Sequence, residues 1–172
     1  MASLMENLID VLNRECTEYE GLLDLSQKKT PIIAGGNLED LQKITDDEQN
    51  VVVRINHLEK QRVEVTKDIA NVLNRDVEEL KLSNLIEMLA ARPVEQEKLT
   101  VAHDRLQIAV RNLQRVNEQN KELLTNALEM VEFEMTLLQS MKAAPETANY
   151  NRGAYNAGNT MGVTSNGFDA KQ

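Results

Sequence analysis

From Pro93 to Lys142 the chain runs for about fifty residues with no glycine and no further proline. Apolar side chains return there at every third or fourth position, which is the period of one helix face and not the two-residue alternation of a strand. The seam reads Leu99, Ala102, Leu106, Val110, Leu113, Asn117, Asn120, Leu124, Leu128, Val131, Met135 and Leu138. It predicts a single helix of roughly 75 Å at 1.5 Å per residue, opened by Pro93, whose missing N–H is harmless in a first turn. Asn117 and Asn120 interrupt the seam, and the reading preferred for them is a solvated edge or a register-setting polar site.

Two earlier segments carry the same period. Between Ser3 and Lys29, Leu4, Leu8, Val11/Leu12, Glu15/Cys16, Tyr19 and Leu22/Leu23 form one stripe, with Ser3 and Glu6 spaced as a capping box. Pro31 is expected to disturb this helix, with at most one more turn through Ile32 and Ile33 before Gly35 and Gly36 end it. Asn37 then suits an N-cap. The second seam is Leu38, Leu41, Ile44, Glu48, Val52, Ile55, Leu58, Arg62, Val65, Ile69 and Val72, ending near Asn74. Glu48 and Arg62 break its apolar character and are expected at its edge or paired with neighbours. It spans roughly 54 Å, less than the third helix, so part of the third helix is expected to project beyond its partners. Between Arg75 and Arg92, SNLIEMLAAR reads as one short helix capped by Ser83.

The fold expected is all-α: an elongated antiparallel bundle, or coiled coil, of three long helices and a short connecting helix over residues 1–142, then a flexible tail over 143–172. Only five residues are aromatic and none is Trp, and an aliphatic core suits helix-on-helix packing. The tail holds four of the seven glycines and three of the five aromatics, Tyr150, Tyr155 and Phe168. Its apolar surface is too small to offset the entropy of ordering it, so it is expected to be disordered alone.

Charge and motifs exclude several classes. A net charge of −9 repels phosphates, which disfavours nucleic acid and anionic membrane surfaces as partners. No stretch approaches the roughly 18 apolar residues of a membrane span. The opening MASLMENLIDVLNRE lacks the basic and uninterrupted apolar regions of a signal peptide, and the single Cys16 cannot form an internal disulfide, so a cytoplasmic protein is expected. No catalytic constellation stands out. His57 and His103 fall on different helices, and Asp46, Asp47 and Glu48 point in different directions round one helix and read as a solvated face. No enzyme activity, metal or cofactor is expected. An amphipathic bundle with spare helix is the anatomy of a binding module whose partner is another helix.

The chain resembles the FlgN-type flagellar export chaperones. The resemblance lies in LIDVLNRECTEYEGLLDLSQKK, in IIAGGNLEDLQKIT at the entry to the second helix, in INHLEKQR, in NEQNKELLTNALEMVEFEMTLL of the third helix, and in the tail reading YNRGAYNAGN and FDAKQ. It implies a cytosolic chaperone that holds hook-associated (hook–filament junction) proteins unassembled and delivers them to the flagellar type III export apparatus. The distal half of the third helix is the expected client site, through Leu123, Leu124, Leu128, Val131, Met135 and Leu138, with Tyr150, Tyr155 and Phe168 of the tail as further contacts. Two other readings are a structural coiled-coil scaffold, for which a homo-oligomer would be natural, and an adaptor that acts through its tail.

Overall fold

The computed structural model describes residues 2–143, with side-chain surroundings from Leu4 onward. Helices are α1 (Ala2–Gly35), α2 (Leu38–Leu73), α3 (Leu82–Met88) and α4 (Pro93–Ala143), with short 3-10 turns at Val77–Glu79 and Leu89–Ala91. Among the described residues there is no strand. Ala143, the first residue of the expected tail, still belongs to α4; the rest of that tail, with Tyr150, Tyr155 and Phe168, lies outside the described residues. The chain divides into two units at Leu128/Glu129, and the described residues of each are treated separately.

In the first unit, α1 and α2 run antiparallel. Their cross-links fall in order, Lys29 to Glu48, Glu18 to Arg54 and Glu15 to Arg62. α4 runs alongside α1 in the same direction, joined through Cys16 and Ala102, Glu20 and Arg105, and Thr30 and Asn120. One core unites Met5, Leu8 and Leu12 of α1, Ile69 and Ala70 of α2, Leu80, Leu85 and Leu89 of the connector, and Leu99 and Ala102 of α4. A second core joins Leu22, Val51, Ile55 and Leu113.

The buried seams are stricter than the sequence reading. On α4, Leu99, Ala102, Ala109, Leu113, Val116 and Asn120 are buried and Leu106 packs against the core, so steps of three and four alternate. Val110 is only half-buried and Asn117 is exposed. On α2, Val51 is buried where Val52 was expected. This alternation has a mean period of 3.5, the spacing of a coiled-coil seam. The seams include Glu15, Ser26, Glu48, Arg62 and Asn120, whose polar groups find partners across helices. Leu38 and Val72, at the two ends of the expected α2 seam, are exposed.

Helix ends depart from expectation in three places. Ser3 lies inside α1, which opens at Ala2. Pro31 also lies inside α1, which continues unbroken to Gly35. Proline removes the bond to the carbonyl of Gln27, and both residues are exposed, so water can take that bond's place. Gly36, at φ 66°, then supplies the left-handed turn. Ser83 lies in the first turn of α3, which starts at Leu82 after Lys81. The other signals hold. Asn37 Oδ1 accepts from the Asp40 N–H at 3.1 Å, Asn74 closes α2 at φ 51°, and Pro93 opens α4. In the connector Leu85 and Leu89 are buried and Ala90 is exposed.

Candidate partner-binding surface

Three of the polar seam residues, Ser26, Glu48 and Asn120, meet toward the Gly35–Gly36 turn, with Lys29 and Thr30 beside them. Glu48 Oε2 accepts from Lys29 Nζ at 2.7 Å and Oε1 accepts from Ser26 Oγ at 2.9 Å. Asn120 Nδ2 donates to the Ser26 carbonyl at 2.8 Å, and its Oδ1 accepts from Thr30 Oγ1 at 2.6 Å. Glu48 is therefore no part of a solvated face, and Asn120, unlike the exposed Asn117, is buried and bonded across to α1. A cleft of about 450 Å³ opens beside this layer, lined by Lys29, Glu48, Asn117, Asn120, Leu124 and Leu128 among others.

The expected client residues differ in placement. Leu123 and Leu124 are half-buried. Leu128 is exposed at the end of the first unit. Val131, Met135 and Leu138 belong to the second unit. There α4 exposes Met130, Val131, Phe133, Met135, Leu137, Leu138 and Met141, each between 48% and 68% accessible. Scattered exposed apolar residues are ordinary, but seven within twelve positions of one helix form a patch. Phe133, Leu137 and Met141 went unassigned in the sequence reading. They repeat the same period, displaced from the Val131–Met135–Leu138 stripe.

The electrostatics of this stretch are one-sided. Between Lys121 and Lys142 lie Glu122, Glu129, Glu132 and Glu134, with no Lys or Arg. Among the described residues none of these four carboxylates enters an ion pair. The hydroxyls of Thr136 and Ser140 donate back to the Glu132 and Leu137 carbonyls, so these polar groups are satisfied within the helix.

His57 lies beside Gln61 on α2 and His103 beside Asp104 on α4. Cys16 is buried, with its thiol 3.4 Å from the Ala102 carbonyl, and burial pushes its pKa up. Among the described residues no group of three or more His, Cys, Asp or Glu could hold a metal ion, and no helix is long and apolar enough to cross a membrane.

Fold and surface define a class, an all-α protein that presents an acidic-flanked apolar helix. The family model of the FlgN protein matches residues 1–157, and the chain belongs to that family. It is also 27% identical over 146 residues, 84% of this chain and 83% of the relative, to the uncharacterized protein YvyG of Bacillus subtilis (strain 168). No solved structure matches it.

Proposed function

We propose that this chain is a cytosolic export chaperone. It binds hook-associated flagellar proteins, prevents their premature assembly and delivers them to the flagellar type III export apparatus. Membership of the FlgN family supports the flagellar context. The observation that carries the binding role is the exposed stripe Val131, Met135 and Leu138, whose steps of four and three suit an amphipathic helix laid against it. Leu123, Leu124 and Leu128 add contacts on the first unit, and Tyr150, Tyr155 and Phe168 are assigned to the same client. Residues 1–142 act as the chaperone domain, an antiparallel bundle of three long helices, and 143–172 as its tail.

Magnitudes favour a reversible complex. Completing the burial of a half-exposed Val, Leu or Met yields about 1 kcal/mol, so three such residues give only a few kcal/mol on this side of the contact. Association itself costs about 4–15 kcal/mol. A delivery chaperone must release its cargo, and weak contacts of this kind permit that. The chain works here as a shield and acts on no bond.

The test is co-purification of hook-associated proteins with the full chain from a motile cell lysate, compared with Leu128→Asp plus Val131→Asp. Loss of these clients with circular dichroism unchanged supports the reading. Their retention overturns the assignment of the site. A chain ending at Pro145 that binds and exports as well as the full chain removes the tail from it.

A further inference from the structure

The helical segment 129–141 carries two apolar stripes, the first of which ends at Lys142. At 100° per residue, Val131, Met135 and Leu138 lie within about 60° of one another, and Met130, Phe133, Leu137 and Met141 within about 80°. The centres of the two groups are about 125° apart. Glu134 falls in the narrower gap between them. Glu129, Glu132, Thr136, Gln139 and Ser140 fill the opposite arc of about 100°. A surface helix that meets one neighbour needs a single stripe of about that width. Here the apolar arc is about twice as wide, and both of its halves are exposed.

We infer that this segment is the central helix of a three-helix contact and that its occupant is a pair of amphipathic helices, one on each stripe, from a basic-flanked partner. The inference rests on the client-binding reading above and deepens it by specifying the partner. Charge decides between a foreign partner and a second copy. Every charged group from Glu122 to Met141 is acidic, so two copies paired along these stripes would set carboxylates against carboxylates. Lys or Arg beside the partner's apolar positions would meet Glu129 and Glu132 at the outer edges and Glu134 between the two seated helices. The geometry also prefers linked helices, because seating the first holds the second at high effective concentration.

The probes are a Lys-flanked peptide with a Leu heptad stripe and a hairpin joining two copies of it. Titrated into the full chain, the single peptide is expected to saturate at two per chain. The hairpin is expected to saturate at one, about 100-fold more tightly. Phe133→Glu plus Leu137→Glu should reduce the peptide to one per chain and remove the hairpin's advantage. Glu134→Lys should weaken the Lys-flanked hairpin and strengthen a Glu-flanked one. Circular dichroism checks that each variant keeps its helix. One peptide per chain in the unaltered protein, with no effect of the Phe133/Leu137 change, overturns the inference. If Val131→Asp plus Leu138→Asp still abolishes that binding, the single-stripe reading survives. If neither double change matters, both readings fail. Self-association of the chain alone, abolished by these changes, would identify a second copy as the occupant and overturn the inference.

Discussion

Glu15 of α1 places Oε1 3.2 Å from Nε of Arg62 on α2, and the carboxylate is only 2% exposed. The contact is an ion pair without hydrogen-bond geometry, and neither atom has another hydrogen-bond partner among the described residues. Burial raises the carboxyl pKa, the Arg62 charge opposes that rise, and Glu59 adds to it. The folded state therefore holds this proton more tightly than the unfolded chain does. Stability is expected to fall as pH rises from the ordinary glutamate pKa through the raised folded value. Glu15→Gln should flatten that part of a urea-midpoint-against-pH profile. Arg62→Ala leaves a buried carboxylate without its cation, and should cost about 2–3 kcal/mol at neutral pH, because Arg62 is partly exposed.

Glu20, five residues along the same helix, behaves in the opposite sense. Arg105 donates to it from Nε and Nη2, both at 2.6 Å, and these bonds hold its pKa below the ordinary value. Its contribution is present above the ordinary glutamate pKa and is lost as pH falls through the lowered one. Both side chains are more than a third exposed, so Arg105→Ala should cost less than about 1 kcal/mol, and less still in high salt. Denaturation in low and high salt checks both statements.

Asn120→Ala should cost about 1–3 kcal/mol, because it strips a donor from the Ser26 carbonyl and an acceptor from the Thr30 hydroxyl. Asn120→Leu fills the seam with apolar surface but removes the group that recognises one register. It is expected to retain helix content while doubling or broadening amide resonances of α1 and α4. Urea titration and two-dimensional NMR separate the two outcomes.

Pro31→Ala should stabilise the protein by about 1–3 kcal/mol, since it returns the bond to the Gln27 carbonyl inside α1 and places a good helix former at an exposed site. An unchanged urea midpoint would show that the native helix has already absorbed the proline.

Leu85→Ala should cost about 2–5 kcal/mol. Leu85 is fully buried among Met5, Leu8, Ile69 and Leu99, so the connector closes one end of the core. If the variant unfolds at the same urea concentration as the parent, the connector is a dispensable loop.

Periodicity made the three long helices legible, and Asn37, Asn74, Gly36 and Pro93 marked their ends. It did not fix register. Val110 and Asn117 fit a three-or-four rule as well as Ala109 and Val116, and only strict alternation singles out the second pair. Pro31 was misread because proline's penalty is smaller where the orphaned carbonyl faces water. Glu48 and Arg62 were legible as exceptions, but their partners are contributed by another helix and lie far away in sequence. On the last turns of α4, following one stripe hid the other. Phe133 and Leu137 look like breaks in the Val131–Met135–Leu138 pattern until they are read as a second pattern.

The layer formed by Ser26, Lys29, Thr30, Glu48 and Asn120 divides the interior of the first unit unevenly. On one side lie the wholly aliphatic surroundings of Leu8, Leu85 and Leu99. On the other side, toward the Gly35–Gly36 turn, Ile33 and Ile44 are buried. Water that reaches the layer finds groups able to hydrogen-bond it, so opening there exposes little that water rejects. Amide protons along α1 should then exchange with solvent on a gradient, slowest near Leu8 and fastest past Thr30. The same helix would keep one end closed for as long as the protein stays folded and let the other breathe many times within that lifetime.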